Sequence, residues 1–438
     1  MNKALTGSLI GIVLIGGGLA GGSYYMGSRL EDSYRNSFNL NDKRFAVTLK
    51  DFSMGPLSGK AAWTGEITPD LCDPSLKFIV RGEDILHRSL TGYRVESKIY
   101  LVRPKDNSAV LLFDTDTAIG WTGDIDGSLK VPAGSHADGK PAMNSEGDLA
   151  VTRDDFRIEW QQISGRFKGG RQDGETEIRS FELSMPLVKI SQAGRDSAEF
   201  ELKNLNYYND IGIGTFGSRP VSGSDKLDIE SFSFTNSSGD MRLSNLKMGG
   251  TQTADGKTLS YNWNGDIGRF SFGSSDQFGR GRYSIDKIHL NSHIKGLNIA
   301  ALEKLHALLK RQSQTCVPHE EQTRAMQDFI VELAKNGVSA ESKGNQLSFN
   351  GGTATAEAQA SLPAGDYTAE NLPSKAWEAL RYSARASIDK KLIRELARLE
   401  KKGQEPSDEE IAKAVAEIIK FTGGREEGDK VVISSEKK

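Results

Sequence analysis

The stretch VESKIYL at positions 95–101 places Val95, Ser97, Ile99 and Leu101 at every second position. Successive side chains of a β-strand point to opposite faces of a sheet, so this period predicts a strand with one buried face. The same alternation recurs from Phe45 to about His293. Examples are Phe45-Val47-Leu49, Leu76-Phe78-Val80, Phe232-Phe234 and Ile285-Ile288-Leu290.

Turn-forming residues separate these runs. Asp106-Asn107-Ser108, Gly169-Gly170 and Asp255-Gly256 are examples, and glycine is frequent throughout, with 47 residues in the chain. No long helical pattern interrupts the region, so alternating βαβ units are not expected. The sequence therefore predicts an extended, mostly antiparallel β-rich region over residues 45–297.

The periodicity becomes helical after residue 297. Ile299, Leu302 and Leu305 recur at intervals of three, and Asn298 before them is a favourable helix cap. Similar spacing predicts helices over 320–336, 390–402 and about 407–420, with strands over 346–362, 380–388 and 431–433. We expect residues 298–438 to form an α+β region that packs on the sheet, which makes the fold class α+β.

The amino-terminal segment ALTGSLIGIVLIGGGLAGGSYYM, residues 4–26, is the only long charge-free apolar run. About 20 apolar residues cross a bilayer as a helix, so residues 1–28 are predicted to be a transmembrane signal-anchor and residues 29–44 a linker. Tyr24-Tyr25 at its end suits a membrane–water interface, and Lys3 before the span, with Glu31 and Asp32 after Arg29, favours a single pass with the bulk of the chain outside. The residues assigned to the span include Ala4, Gly7, Gly11, Gly17, Gly21 and Tyr25.

Two further interpretations of this segment stay open. Gly18-Leu19-Ala20 fits the small-x-small cleavage site of a signal peptide, whose removal would leave no anchor. The pairs Gly7/Gly11 and Gly17/Gly21 would let two helices approach closely, which predicts a homodimer through this face. Glycine is also simply frequent in membrane spans.

The composition excludes several classes of protein. A formal net charge of −3 over 438 residues provides no basic stripe, so no nucleic-acid partner is expected. The two cysteines, Cys72 and Cys316, allow neither a zinc ribbon nor a CxxC redox motif. Outside the cytoplasmic membrane they would be able to form one disulfide; the alternative is two unrelated small apolar side chains.

Motifs for cofactors, metals and nucleophiles are weak or incomplete. Residues 212–217 read GIGTFG, but no helix pattern follows to bind a phosphate. His289 and His293 lie on a predicted strand, which puts their Cβ atoms ~13 Å apart, too far to share a metal ion. We therefore predict no cofactor, no metal site, no catalytic residue and no enzymatic activity.

Two sequence patterns leave a catalytic or ligand-binding role open. The acidic residues Asp124, Asp126, Asp154 and Asp155 are the first candidates for acid–base chemistry if the protein is a hydrolase. A Trp-x-Gly-acid-Ile motif begins at Trp63, Trp121 and Trp263. We interpret each copy of the motif as the end of a strand, with a turn at the glycine and the tryptophan packed on a face of the sheet. The alternative is a ligand subsite that is repeated three times.

The order of features resembles the YdgA-like proteins of Gram-negative bacteria, a family of unknown function. Gly21–Glu31 is similar to the family's G-G-x-x-Y-x-G-x-x-[IVL]-E, and Phe52–Ser58 to its Y-x-x-G-x-F/L-S step. The strongest similarity runs from Leu243 to Leu305. The resemblance implies an inner-membrane anchored protein facing the periplasm, with a link to motility in some members and no established catalytic residues.

Three functions follow as expectations. The first is a binding or scaffolding protein of the bacterial inner membrane, with a lipid or an envelope protein as ligand; it predicts an apolar groove without converging carboxylates. The second is an envelope hydrolase acting on glycan or lipid, which predicts acids that meet in one cleft. The third is a structural homodimer at the membrane.

Overall fold

The structure, a computed structural model, describes residues 43–437. Short gaps lie at 56, 69, 74–76, 90, 103–106, 121, 138–141, 144–148, 151–155, 173–174, 193–196, 211–212, 215–216, 219–221, 275–280, 313 and 402. The predicted anchor over 1–28 and residues 29–42 of the predicted linker lie outside the described residues. None of the helices within the described ranges is long and apolar enough to cross a membrane.

The elements confirm an antiparallel β-rich chain with helices toward its carboxyl end. The strands are β1 Phe45–Met54, β2 Ser58–Ile67, β3 Phe78–Arg88, β4 Gly92–Val102, β5 Ala109–Gly120, β6 Ile125–Val131, β7 Gly134–Ala137, β8 Ala142–Met143, β9 Leu149–Ala150, β10 Phe156–Trp160, β11 Ile163–Gln172, β12 Glu175–Gln192, β13 Ala198–Asn209, β14 Ile213–Gly214, β15 Gly217–Ser218, β16 Gly223–Asn236, β17 Gly239–Ala254, β18 Thr258–Ser274, β19 Gly281–Asn298, β20 Val338–Phe349, β21 Gly352–Leu362, β22 Arg381–Asp389, β23 Arg425–Glu427 and β24 Lys430–Lys437. The helices are α1 Ile299–Gln312, α2 His319–Asn336, α3 Leu372–Ala379, α4 Lys390–Glu400 and α5 Asp408–Thr422.

One 22-stranded sheet contains all of these strands except the β8–β9 pair. Its pairings among the described residues are antiparallel, and they follow the path β1-β2-β3-β4-β5-β6-β11-β12-β13-β16-β17-β18-β19-β20-β21-β22-β24-β23. Strand β12 has two neighbours on one side, because its first half pairs with β11 and its second half with β10. The sheet is thus a long meander rather than a layered α/β structure.

The first strands bury one face of the sheet, deeply on β2 to β5 and partly on β1. Trp63, Ile67, Val80, Ile99 and Ile119 are at most 2% exposed. Every residue of this core, and every partly buried residue packed against it, lies on a strand of the sheet itself. The sheet therefore curls here until its apolar face closes on itself.

The first residues of the helices are set by capping residues that can be recognised in the sequence. The Asn298 side chain accepts a hydrogen bond of 2.9 Å from the Ala301 N–H, which confirms the predicted cap of α1. Helix α5 begins with a capping box formed by Ser407 and Glu410. Helix α3 was not predicted, because its eight residues are too few to establish a helical period.

The carboxyl-terminal strands β20, β21, β22 and β24 continue the same sheet edge to edge. Residues 298–438 thus extend the sheet in addition to packing on it. Helices α4 and α5 form a separate small core with β24, built around Ile393, Ile411, Val415 and Val431.

Candidate functional site

Between β12 and β19 one face of the sheet is apolar over most of its area. Residues directly opposite one another on six strands form four transverse rows, which together we call the open apolar face. The rows are Ile190, Phe200, Phe234, Met241, Phe272, Tyr283; then Val188, Leu202, Phe232, Leu243, Phe270, Ile285; then Met185, Leu205, Ile229, Leu246, Ile267, Ile288; and Leu183, Tyr207, Leu227, Met248, Gly265, Leu290.

The side chains of this face are only half-buried, unlike the closed core of the first strands. Leu290 is 40% exposed. The rings contact one another within the face: Phe200 and Phe232 have centroids 5.1 Å apart in an edge-on arrangement, and Phe272 and Tyr283 have centroids 5.3 Å apart. From strand spacing and rise per residue the four rows extend over roughly 500 Å² of sheet, comparable with the largest apolar patch of a typical soluble monomer, which is often functional.

A transverse line of irregular residues crosses the middle of the open apolar face. It contains Pro186, Asn204, Glu230, Asn245 and Gly268, which follow one another across neighbouring strands. Asn204 and Asn245 have left-handed backbone, with φ of 48° and 54°. Each strand has one extra residue at this line, so its apolar positions are three residues apart across the line instead of two. The apolar side chains on both sides of the line therefore lie on the same face of the sheet.

Contacts between neighbouring strands hold this line, which we call the kink line. The Asn204 amide donates a hydrogen bond to the Glu230 carboxylate. A Cβ atom on Gly268 would lie 2.9 Å from the Asn245 Cβ, so only glycine fits beside the turned asparagine. Specific contacts therefore stabilise the kink. Because of it, the open apolar face continues across the kink line on strands of 12 to 18 residues.

One end of the open apolar face carries polar groups on the same side. Asp225 lies two residues before Leu227 on β16, and its Oδ1 accepts a hydrogen bond of 3.1 Å from the Tyr261 hydroxyl. Gly250 on the intervening strand makes room for this contact, since a Cβ there would lie 2.1 Å from the Tyr261 hydroxyl oxygen. Trp263 lies directly opposite Gly250. We call this group the Asp225 corner.

Burial and the charge of Asp225 raise the pKa values of the two tyrosines of this corner. Desolvation, and then the Asp225 carboxylate, raise the pKa of Tyr261 to about 12. Burial likewise raises the pKa of Tyr207, which also hydrogen-bonds Asn209 and is affected by the Asp225 charge. Both phenols therefore keep their protons at neutral pH and act as hydrogen-bond donors or acceptors.

Helix α1 lies at the same end of the strands. It begins where β19 ends and contacts both β19 and β15. A helix of 14 residues is about 21 Å long, which matches the distance of about 20 Å across the intervening strands. The Asp225 corner thus belongs to the end of the sheet that α1 crosses.

The opposite face of these strands is charged. Lys189 and Glu199 lie 3.1 Å apart, and His289 Nδ1 lies 2.7 Å from Asp266 Oδ1. A cavity of about 610 Å³ on this face is lined mainly by polar side chains, including Arg166, Glu182 and Lys226. The two faces therefore differ sharply in polarity, and the apolar one is the candidate site for an apolar ligand.

The structure places the two cysteines together. The Sγ atoms of Cys72 and Cys316 are 2.05 Å apart in a disulfide between residues 244 positions apart in the chain. Cys72 lies in the β2–β3 connection, and Cys316 lies between α1 and α2. The bond ties the closed amino-terminal part of the sheet to the helices that follow the open apolar face.

The other predicted site residues are scattered. Asp124 lies in the β5–β6 turn and accepts a hydrogen bond of 2.7 Å from Thr122, and Asp126 is exposed on the outer face of β6. Asp154 and Asp155 lie outside the described residues, as do Ala4, Gly7, Gly11, Gly17, Gly21 and Tyr25. No group of three His, Cys, Asp or Glu side chains is placed to hold a metal ion in the described part of the chain.

The turn interpretation of the Trp-x-Gly-acid-Ile motif is wrong at two of its three positions. Gly65 and Gly265 lie within strands, and the tryptophans before them pack on the apolar face of the sheet. Only Gly123, with φ of 87°, lies in a turn. Glycine inside a strand here leaves room for a neighbouring ring: Gly65 lies against Phe45, and Gly265 against Trp263.

Sequence reasoning missed the residues of the Asp225 corner. Each lies inside a strand pattern, and only the cross-strand register brings Asp225, Tyr207 and Tyr261 together. The available signal was a carboxylate at an otherwise apolar position of the β16 alternation. The kink line could not be recognised in the sequence. An extra residue in the alternating pattern looks the same as the end of one strand and the start of another.

Comparison with protein families gives one match. Residues 102–432 match the model of the family DUF945, described as bacterial protein of unknown function. Comparisons with curated proteins and with solved structures found no match. The narrower resemblance to the YdgA-like proteins stays an expectation.

Proposed function

The chain belongs to the DUF945 family of bacterial proteins, and we propose that it is a non-catalytic protein that binds the acyl chain of a lipid on its open apolar face. The observation that carries this proposal is the set of four in-register apolar rows, half-exposed over six consecutive strands. Leaving such an area in water costs about 25 cal/mol per Å². An acyl chain that lies on part of this face recovers the free energy of the area that it covers.

The dimensions of the face suit this ligand. From Leu227 to Phe234 the face extends ~23 Å along a strand, whereas one leaflet of a bilayer core is about 15 Å thick. Flexible and aromatic side chains such as Met241, Met248 and Phe270 adapt their packing to a chain of variable shape. A peptide that binds by adding a β-strand would instead need unpaired backbone groups along a strand edge, and the strands of this face are paired on both sides.

We further propose that residues 4–26 hold this domain at the bacterial inner membrane with its bulk in the periplasm. The length and charge-free composition of the run support a membrane span. The Cys72–Cys316 disulfide is consistent with an oxidising compartment. A bilayer next to the domain would supply lipid directly.

The absence of catalysis is part of the same proposal. Asp124 and Asp126 lie in a turn and on an outer strand face, away from the open apolar face. The carboxylate that does meet this face, Asp225, has a tyrosine as its hydrogen-bond partner rather than a second acid or a nucleophile.

The test is native mass spectrometry of the full chain extracted in mild detergent, with identification of what stays bound. We expect a co-purifying lipid. The Phe232→Glu variant should lose it, because a carboxylate in the centre of the face is not tolerated by an acyl chain. Ser231→Glu, on the opposite face and across from Lys203, is the matched control and should retain it. Wild-type protein that carries no lipid and takes none up from vesicles would contradict the proposal.

A further inference from the structure

The Asp225 corner places hydrogen-bonding groups at one end of the open apolar face. Asp225, Tyr207, Tyr261 and Trp263 are all only partly buried, so part of each remains accessible to solvent. Tyr207 is directly opposite Leu227, the neighbour of Asp225 on the same face, and Tyr261 reaches Asp225 across Gly250. A ligand that fills the apolar rows would therefore bring its polar end to this corner.

The chemistry of the corner selects among polar groups. A carboxylate attracts cations and repels phosphate and carboxylate groups at contact distance. Tyr261 donates its proton to Asp225, which leaves its oxygen lone pairs as acceptors. The faces of Tyr207, Tyr261 and Trp263 add the aromatic surroundings that favour a bound ammonium group.

An ammonium group fits these partners better than a hydroxyl. It has three N–H donors and no acceptor, and the corner offers carboxylate and phenol oxygens as acceptors. None of the ion pairs found between the described residues includes Asp225. The negative charge of Asp225 is thus available to a cation from the ligand.

We propose that the Asp225 corner binds the primary ammonium group of a lipid whose acyl chain lies on the open apolar face. This inference rests on the proposed function, because the apolar rows must hold the chain for the ammonium group to reach Asp225. Gly250 has a defined part in it, since it allows Tyr261 and Asp225 to meet above the strand between them.

The experiment compares two probes with the same acyl chain, lysophosphatidylethanolamine and lysophosphatidylglycerol, which differ in the ammonium group. Binding to the full chain is measured by isothermal titration calorimetry below the probes' micelle concentration. We expect the ammonium probe to bind at least tenfold more tightly, the effect of a charged hydrogen bond. Asp225→Asn should remove this preference, because it weakens binding of the ammonium probe and no longer repels the anionic glycerol probe.

Two control variants show whether the preference for the ammonium probe comes from the Asp225 corner or from a general change in charge or folding. Asp228→Asn makes the same change on the same strand but on the opposite face, and should keep the preference. Tyr261→Phe keeps the ring and removes the hydroxyl, and should weaken the preference severalfold even if Asp225→Asn does not fold. Equal binding of both probes by the wild type would overturn the ammonium site and leave lipid binding standing. No binding of either probe would overturn both proposals.

Discussion

Trp63 is among the most deeply buried side chains of the closed core, and its position depends on Gly82. Its indole lies over Gly82 on the next strand and donates a hydrogen bond of 3.1 Å to Asp84. A Cβ on Gly82 would lie 1.9 Å from the Trp63 ring. We predict that Gly82→Ala lowers the free energy of unfolding by about 1–3 kcal/mol, because the ring has no free volume to enter.

The measurement is chemical denaturation followed by tryptophan fluorescence. The matched control is Gly120→Ala, where the nearest atom would be 3.5 Å from the new Cβ. This control should change stability by less than about 0.5 kcal/mol. Equal denaturation midpoints for the two variants would show that Gly82 is not needed for the packing of Trp63.

Asp114 makes a pH-dependent contribution to stability. Burial raises its pKa, against the opposing effects of Lys98 and Lys130 on the neighbouring strands. The folded state therefore binds its proton more tightly than the unfolded state, so this contribution falls as pH rises through the window just above the ordinary carboxyl pKa of about 4. Asp114→Asn should stabilise the protein at pH 7 and flatten the pH dependence in that window.

Urea denaturation at several pH values between 4 and 7 tests this prediction. Asp116→Asn is a suitable comparison, because Asp116 is exposed and bonded to Arg94 rather than desolvated. A variant Asp114→Asn that is less stable than wild type at pH 7 would mean that the two lysines outweigh the cost of burial.

At the scale of single elements, the kink line determines how the long strands can present one apolar face. Asn245 adopts a left-handed backbone, with φ of 54°. Glycine and asparagine tolerate this conformation, whereas a β-branched residue is strained in it. We predict that Asn245→Val lowers the free energy of unfolding by roughly 1–3 kcal/mol, whereas Asn245→Gly changes it by less than about 0.5 kcal/mol.

Thermal unfolding followed by circular dichroism is the appropriate measurement for this pair. The valine variant should also reduce lipid binding, since the rows on either side of the kink line would no longer share one face. A valine variant as stable as the glycine variant would show that the turned backbone is not required.

The elements themselves were largely predictable from the sequence. The alternation around Val95 and Ile99 and the helical spacing after Asn298 correspond to β4 and α1 as the structure shows them. The strand lengths were not predictable, because the slip at Asn204 and Asn245 divides each pattern into two apparent strands. The in-strand glycines Gly65 and Gly265 were misread as turns, since nothing local distinguishes a turn from space for a ring.

At the scale of the whole molecule, the disulfide joins distant parts of the chain. Cys72 and Cys316 close a loop of 244 residues that contains the whole open apolar face. The chain-entropy model assigns such a loop about 5.5 kcal/mol as an upper value, and removal of native disulfides commonly costs about 2–5 kcal/mol. We predict that Cys316→Ser lowers the unfolding temperature clearly under non-reducing conditions.

Scanning calorimetry of both single variants and of the double variant tests this. The two single variants and the double variant should agree, because each removes the same bond. Unchanged unfolding temperatures, or additive effects of the two substitutions, would mean that the cysteines act as separate side chains.

The global arrangement could be predicted only in part. Alternation identifies an apolar face on each strand, but it does not indicate where that face closes on itself, as around Trp63, or stays open, as around Phe232. That difference arises from curvature and from register across many strands. For the same reason the Asp225 corner, assembled from β13, β16 and β18, is visible only in three dimensions.

The measurement that tests the central claim most directly is photo-cross-linking of the full chain with a diazirine-bearing acyl lipid, followed by peptide mapping. Lipid binding on the open apolar face predicts adducts on β13, β16 and β18, at residues such as Phe200, Phe232 and Phe270, and their loss in Phe232→Glu. Adducts confined to the charged face or to the carboxyl-terminal helices would contradict the account.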